Sequence, residues 1–408
     1  MFTVVIFVII AIISCYRATK IKEEKVKELP AIVAPPANNV YKVWNVGAPT
    51  MERFLQEVAR EKPVRFTAQQ LCSFTSNYFT TLGAGGFGVV YKGQFPNGRK
   101  IAVKVLNRSS ARTAEEQFMA EVGTIGRTYH RNLVRLYGFC YDQFMSALVY
   151  EYMENGLDKY LFSDKQKIEW EKLYDIATGT AKGMAYLHEE CQKRIIHYDM
   201  KPSNILVDAN YFPKVADFGL AKLCNRDDTH ITISGYRGTS GYSAPEFLLK
   251  NHPITHKCDV YSFGMVLFEI VGRGRTNTNI SPSESLNWFP KHVWEECKKN
   301  ELASMTKACG IEEKDREKAI RMSIVALWCV QDSPEARPPM SAVVKMLEGG
   351  VEIMPPKNPF HYLYLIGMVA LKPPETGSSD STSEETNSYW YKESTPIMTK
   401  YEIQIASS

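Results

Sequence analysis

The chain has 408 residues, of which 44% are hydrophobic and 23% are charged, and this composition is typical of a globular protein of two or three domains. Its formal net charge of +4 is too small to indicate a nucleic-acid partner. The nine cysteines have irregular spacings and no C-x-x-C pair, which favours free thiols in a reducing compartment over a disulfide framework.

The first 16 residues form an apolar run without a charged side chain, and five basic residues follow between Arg17 and Lys27. A basic flank of this kind favours a cytosolic position for the chain that follows it. The run is shorter than the roughly 20 residues of a spanning helix. A cleaved signal peptide, which normally carries its positive charge in front of the apolar core, stays open as the alternative. We expect a membrane anchor over 1–16 and a linker over 17–64.

A β-rich block follows the linker. Residues from Leu82 to about Leu106 alternate β-branched side chains with glycines and polar residues, which predicts a short twisted sheet with hairpin turns, one of them in FPNGRK at 95–100. The sequence then becomes helical. Thr113 and Glu116 have the spacing of a capping box at the start of this helix.

The second half of the chain is predicted to be mostly helical. Apolar stripes with helical spacing run from Leu173 to His188, from Val260 to Val271 and from Met340 to Leu347, where two glycines end the last helix. A β-rich block followed by an α-rich block predicts an α+β fold of two lobes. We expect a domain over 66–350, with lobes at about 76–150 and 155–350. The apolar run 361–371 is expected to dock on the second lobe, and the acidic sequence after 372 to be disordered.

The glycine-rich stretch LGAGGFGVVYKG places Gly83, Gly85 and Gly88 in the pattern G-x-G-x-x-G. Glycines allow backbone N–H groups to approach a phosphate closely. A dinucleotide-binding oxidoreductase uses the same pattern, but there a helix begins after the last glycine, whereas VVYKG continues as a strand. The pattern therefore favours a flap over nucleotide phosphates.

Two charged residues occur in apolar surroundings. The strand IAVK delivers Lys104, and a lysine in such a context needs a partner. Glu121, at the edge of the apolar face of the predicted helix, is the candidate. The alternative is a surface lysine and a solvated glutamate. An ion pair between the two would hold the ammonium against nucleotide phosphates.

The loop HYDMKPSN combines a carboxylate, an ammonium and an amide at fixed spacing. Asp199 can accept the proton of an incoming hydroxyl, Lys201 can neutralise a γ-phosphate, and Asn204 offers an amide oxygen to magnesium. Asp217, in the DFG that follows, is a second oxygen ligand of the kind that Mg²⁺ prefers. A further motif, APE, ends at Glu246. Each motif is weak evidence alone, but chance agreement of the whole ordered set is negligible.

Together these motifs resemble the protein-kinase signature over roughly residues 76–350. The stretches HRNLVRLYGFC, LVYEYMENG and KCDVYSFGMVLFEI are similar to plant receptor-like kinases, and HYDMKPSN is similar to their leaf-rust-resistance-like (non-RD) group. The resemblance implies a bilobal protein-kinase fold and ATP-dependent transfer of phosphate to serine or threonine hydroxyls, with ATP and Mg²⁺ as cofactors. It also implies a kinase domain on the cytosolic side of a membrane, expected to be the plasma membrane.

The resemblance assigns roles to individual residues. The implied ATP-binding residues are Leu82, Gly83, Ala84, Gly85, Gly86, Phe87, Gly88, Val90, Ala102, Lys104, Glu121, Tyr150, Glu151, Met153 and Leu206. The implied catalytic residues are Asp199 and Lys201, and the implied metal ligands are Asn204 and Asp217. Asp259 is implied to brace the catalytic loop, and Arg337 to pair with Glu246.

The expected partners are protein substrates, the membrane, and a second chain in a homo- or heterodimer, such as a receptor that carries an ectodomain. The alternative function is a catalytically weak, kinase-like scaffold in a receptor complex. Loss of Lys104, Asp199 or Asp217 would favour the scaffold, and the sequence retains all three.

Tyr198 stands where most kinases of this type carry an arginine that binds a phosphate on the activation loop. The candidate acceptors in that loop are Thr229, Thr232, Ser234 and Thr239. Our hypothesis is that dimerisation or partner kinases, more than a loop phosphate, set the activity. Tyr198 would pack its ring against the loop or bond through its hydroxyl. The alternative is a neutral filler, with Lys222 or Arg237 binding the phosphate.

Overall fold

The computed structural model describes residues 63–107, 111–163, 168–226, 238–247, 253–273 and 289–360. The expected membrane anchor, nearly all of the linker, the apolar run 361–371 and the acidic tail lie outside these ranges. Within them, every helix is too short or too polar to cross a membrane.

The N-terminal lobe is a six-stranded sheet with two helices. Its elements are β1 Val64–Arg65, α1 Ala68–Phe74, β2 Thr81–Gly85, β3 Gly88–Gln94, β4 Lys100–Leu106, α2 Ala111–Thr124, β5 Leu136–Tyr141 and β6 Ser146–Glu151. The strand order is β1-β5-β6-β4-β3-β2, antiparallel except for the β1–β5 pair. The sheet and the turn predicted in FPNGRK are confirmed, and Gly98 adopts a left-handed φ of 84° in that turn.

The lobe begins earlier in the chain than the sequence indicated. Val64, expected in the linker, pairs with Gly138 as part of an edge strand. The next helix, α1, buries Leu71 in a cluster with Ile101 and Val103. Its start has a sequence signal, because Thr67 and the residue three positions later form a reciprocal capping box.

Helix α2 begins before the position that the sequence suggested. The helix already includes Ala111, so Thr113 lies within it and the predicted capping box is wrong. Alanine and arginine, at 111 and 112, are strong helix formers and extend the helix toward its N-terminus. The apolar face is where it was expected. Phe118 is fully buried, and its ring meets that of Phe139 edge to face at 5.6 Å.

The C-terminal lobe is mostly helical. Its described helices are α3 Leu157–Leu161, α4 Trp170–Ala185, α5 Lys257–Gly272, α6 Phe289–Lys298, α7 Leu302–Ala308, α8 Glu313–Cys329 and α9 Met340–Glu348. Its short strands are β7 Asn155–Gly156, β8 Arg194–Ile196, β9 Ile205–Val207, β10 Pro213–Val215 and β11 Lys222–Cys224, paired as β10-β9-β7 and β11-β8. The first apolar stripe lies on α4 and continues into the π-helical turn Tyr186–Glu190, and the other two lie on α5 and α9. Gly349 ends α9 with a φ of 80°. The α+β fold of two lobes is thus confirmed.

A buried ion pair ties the end of the APE motif to the C-terminal lobe. The guanidinium of Arg337 donates to both carboxylate oxygens of Glu246, at 2.7 and 2.8 Å. Both residues are at most 3% exposed. The pair that the resemblance implied is therefore present, and it holds Glu246, the last residue of the APE motif, in place.

The eight cysteines of the described ranges are all free thiols. This agrees with the free thiols that their spacing favoured, and Cys15 lies outside the described residues.

Candidate active site

A cavity of about 330 Å³ lies between the two lobes. Most of the residues predicted to bind nucleotide or metal line it, and they are Leu82, Gly83, Val90, Ala102, Lys104, Glu121, Tyr150, Glu151, Met153, Asn204, Leu206 and Asp217. Its lining also includes residues that the sequence interpretation did not identify, namely Val134, Glu154, Asn155, Gly156, Lys159, Ser203 and Ala216. The volume suits a small ligand.

The β2–β3 hairpin holds the remaining glycine-motif residues, Ala84 to Gly88, which do not line the cavity wall. Gly88 has a φ of 141°, and a Cβ there would lie 2.0 Å from the carbonyl oxygen of Val105, so only glycine fits. A Cβ at Gly83, Gly85 or Gly86 would meet no described atom within 4 Å. The backbone at these three glycines is thus not packed against other described atoms.

Four polar side chains meet at the back of the cavity. Lys104 Nζ lies 2.6 Å from Glu121 Oε1 and 2.7 Å from Asp217 Oδ1. Tyr150, across from Ala102 in the β4–β6 ladder, donates its hydroxyl hydrogen to Glu121 Oε2. The predicted Lys104–Glu121 pair is present, and the alternative of two solvated side chains is excluded because Lys104 is 8% and Glu121 0% exposed.

In this cluster burial disfavours the charged form of each side chain, whereas the opposite charge of a neighbour favours it. Burial alone would lower the pKa of Lys104, but the charges of Glu121 and Asp217 outweigh it and raise that pKa. Burial likewise opposes ionisation of Asp217, yet the Lys104 ammonium holds its pKa below the usual range. For Glu121 burial dominates and raises the pKa. Lys104 is therefore a cation and Asp217 an anion at neutral pH.

The loop after β8 presents a second set of polar groups. Asp199 is 4% exposed. Its Oδ1 accepts the hydroxyl hydrogen of Thr239 at 2.6 Å, and its Oδ2 lies 2.9 Å from Lys201 Nζ and 3.0 Å from Asn204 Nδ2. Lys201 Nζ also donates to the Thr239 hydroxyl, at 2.8 Å. A carboxylate, an ammonium and an amide thus converge, and Asn204 belongs both to this loop and to the cavity wall.

Asp259, near the start of α5, holds this loop in shape. Its Oδ2 accepts the backbone N–H of His197 and its Oδ1 that of Tyr198, both at 2.8 Å. His188 Nε2 lies 2.9 Å from Oδ2. Burial opposes ionisation of Asp259, but the hydrogen bond and charge of His188 hold its pKa below the usual range. The bracing role implied by the resemblance thus has direct contacts behind it.

The sequence matches the family described as protein tyrosine and serine/threonine kinase over residues 77–347. The chain belongs to the protein kinase family. This match covers both lobes, the cavity between them and the loop that carries Asp199.

Curated kinases of plants are similar to this chain. The Rust resistance kinase Lr10 of Triticum aestivum is 44% identical over 317 residues, which are 75% of this chain and 49% of that protein. The PR5-like receptor kinase of Arabidopsis thaliana is 40% identical over 84% of this chain and 52% of its own length. A G-type lectin S-receptor-like serine/threonine-protein kinase of the same plant is 47% identical over 75% of this chain and 37% of that protein. The chain thus spans about half or less of these kinases.

One contact of the kinase site was not predicted. The resemblance placed Tyr150 behind the nucleotide, but the bond from its hydroxyl to Glu121 depends on how α2 packs against β6. The available signal was chemical. Glu121 has two acceptor oxygens, Lys104 satisfies one, and a buried carboxylate oxygen needs a donor.

Proposed function

We propose that this chain is an ATP-dependent protein serine/threonine kinase, with a kinase domain from Val64 to about residue 350. The observation that carries the proposal is the convergence of two polar sets on one cleft. Lys104, held by Glu121, faces the cavity from the N-terminal lobe. Asp199 and Lys201 lie on the loop that also supplies Asn204 to the cavity wall.

The proposed reaction uses the loop residues directly. A substrate serine or threonine oxygen attacks the γ-phosphorus of ATP, the bond from that phosphorus to the β–γ bridging oxygen breaks, and ADP leaves. Asp199 orients the hydroxyl and accepts its proton late in the transfer. Lys201, 2.9 Å from Asp199 Oδ2, neutralises charge on the transferring phosphoryl group.

The donor set fits magnesium. Asn204 uses its amide nitrogen to bond Asp199, at 2.8 Å to the carbonyl oxygen and 3.0 Å to Oδ2, which leaves its amide oxygen as a ligand. Asp217 supplies a carboxylate. Mg²⁺ is usually held by one or two such protein oxygens together with phosphates and water. When bound, the ion neutralises phosphate charge.

The cavity also supports nucleotide recognition. Val90, Ala102 and Leu206 line it from both lobes and would sandwich the adenine ring. The segment from Glu151 to Met153 would offer backbone groups to the ring edge. The Glu151 carboxylate is held by the backbone N–H of Arg135 at 2.7 Å, which supports a fixed path for this segment.

Incubation of the purified full chain with labelled ATP, Mg²⁺ and casein tests the activity. Lys104→Met and Asp199→Asn should leave folded proteins with activity lower by orders of magnitude, and Asp217→Asn should also weaken the dependence on Mg²⁺. Asp175→Asn, which changes an exposed carboxylate on α4, is the matched control and should change little. Near-normal transfer by Asp199→Asn would contradict the catalytic assignment, and a silent wild type would favour the scaffold alternative.

We further propose that residues 1–16 tether this kinase to a membrane, with the kinase domain on the cytosolic side, and that it works with a receptor in a dimer. The basic flank after residue 16 and the receptor kinases among the relatives support this. Cell fractionation of the full chain and of a chain without residues 1–16 tests the tether. Equal amounts in the soluble fraction would rule it out, and secretion would indicate a signal peptide.

A further inference from the structure

Tyr198 has an uncommon backbone conformation in a buried place. Its φ of 66° lies in the left-handed region, which a non-glycine residue rarely adopts. The bond from its N–H to Asp259 Oδ1 helps to hold this conformation. The residue is only 3% exposed, so its aromatic side chain points into the protein and not into solvent. The direction of this side chain, one position before Asp199, is therefore fixed by the backbone of the loop.

The ring packs against the far end of the segment 238–247. Its centroid lies 6.2 Å from that of Phe247, with the planes at 74°, an edge-to-face contact. Phe247 directly follows Glu246, which Arg337 anchors. Tyr198 therefore touches this segment where the C-terminal lobe already holds it.

The backbone of Tyr198 touches the near end of the same segment. Gly238 has a φ of 104°, and a Cβ there would lie 2.8 Å from the carbonyl oxygen of Tyr198. The next residue, Thr239, donates to Asp199. Tyr198 thus lies against Phe247 through its ring and close to Gly238 through its carbonyl oxygen, and the residue after Gly238 bonds the proposed proton acceptor.

We propose that Tyr198 is a positioning residue for the protein substrate: its ring, through Phe247, holds the segment 238–247 in the shape that presents a substrate hydroxyl to Asp199. The contact between Tyr198 and Phe247 is aromatic packing and not an ion pair. This role presupposes the kinase activity proposed above.

Steady-state kinetics of the full chain, with casein varied at saturating ATP and ATP varied at saturating casein, tests the role. Tyr198→Leu should raise the KM for casein about two- to tenfold, the change that corresponds to loss of one aromatic pair. The KM for ATP should change little. Tyr198→Phe keeps the ring and should behave as wild type. Phe247→Leu should match Tyr198→Leu, and the double variant should be no worse than either.

A control separates positioning from general stability. Phe268 and Phe289 form a similar edge-to-face pair at 6.5 Å within the C-terminal lobe. Phe289→Leu should lower the melting temperature without changing the KM for casein. An unchanged KM in Tyr198→Leu, or fully additive effects in the double variant, would overturn the proposal.

Hydrogen exchange keeps the test independent of catalysis. Amides of 238–247 should exchange faster in Tyr198→Leu and Phe247→Leu than in wild type, and at the wild-type rate in Tyr198→Phe. Equal exchange in all four proteins would refute the packing role even if the chain phosphorylates casein. Faster exchange in a chain that transfers no phosphate would instead contradict the proposed kinase function alone.

Discussion

The Tyr150→Phe substitution removes one hydroxyl from the buried cluster behind the cavity. That hydroxyl donates to Glu121 Oε2, and the other carboxylate oxygen accepts from Lys104 at 2.6 Å. Glu121 is 0% exposed, so water does not replace the lost donor. The ring itself stays in place, because phenylalanine has the same shape apart from the hydroxyl.

The expected loss of stability follows from the kind of bond removed. A hydrogen bond to a charged group contributes about 1.5–3 kcal/mol, and the buried oxygen left without its donor keeps its desolvation cost. We therefore expect the free energy of unfolding to fall by about 2 kcal/mol. The rate of phosphate transfer at neutral pH should change little, since Lys104 keeps its contacts with Glu121 and Asp217.

The substitution should also move the acid limb of the activity profile. Burial raises the pKa of Glu121, while the bonds from Lys104 and Tyr150 oppose that rise. Loss of the tyrosine hydroxyl therefore raises this pKa further. A protonated Glu121 attracts Lys104 less, so kcat/KM should begin to fall at a higher pH than in wild type.

Urea denaturation and a pH profile of kcat/KM measure both effects. Tyr152→Phe is the matched control, since Tyr152 is a half-buried neighbour whose ring faces Lys92 and Lys100 at 5.4 and 5.7 Å. Its hydroxyl lies outside the buried cluster, so this variant should lose at most about 1 kcal/mol. Equal unfolding free energies for Tyr150→Phe and wild type, with superimposable pH profiles, would refute this account of the cluster.

Three further outcomes are expected. Arg337→Ala leaves the buried Glu246 carboxylate unpaired and should lower the free energy of unfolding, measured in urea, by about 3–5 kcal/mol. Lys182→Ala breaks the exposed pair with Glu348 and should lower it by at most about 1 kcal/mol. Similar losses in the two variants would contradict this ranking. Burial is the main cause that lowers the pKa of His256 to about 3. Below pH 6.5 the unfolded chain binds a proton at this residue more readily than the folded protein, so the free energy of unfolding should fall with pH by up to about 1.4 kcal/mol per pH unit. His256→Gln should flatten that decline. If a loop phosphate is not the main switch, casein phosphorylation should survive alanine at three loop acceptors, and a loss of most activity would sink the hypothesis. These acceptors are Thr229, Thr232 and Ser234.

The parts of the fold that follow from local patterns were predictable. Helical periodicity located α5, because its largest apolar residues recur at helical spacing, although the structure buries this helix on all sides from Cys258 to Gly272. The β3–β4 hairpin followed from its turn residues, of which Gly98 takes the left-handed φ. The ion pair of Lys104 with Glu121 was predictable for another reason, since an ammonium in an apolar strand needs a buried counter-charge.

The parts that depend on distant contacts were not predictable from local pattern. Strand β1 is two residues long, and its parallel partner Gly138 lies far along the chain, so no periodicity marks it. The start of α2 was misplaced because the capping-box pattern at Thr113 is only a local preference, and a helix extends past it when strong helix formers precede it. The bond from Tyr150 to Glu121 required the packing of a helix against a strand.

The catalytic loop combines both kinds of information, and Asp259 is the point where they meet. The spacing of Asp199 and Asn204 is written in the sequence, but their directions depend on a backbone that carries Tyr198 at a positive φ. A carboxylate from α5 holds that backbone through the N–H groups of His197 and Tyr198. Asp259 is fully buried, so its position depends on the packing of the C-terminal lobe. The residue types of this kinase site can therefore be read from the local sequence, whereas their geometry depends on the packing of the C-terminal lobe around Asp259.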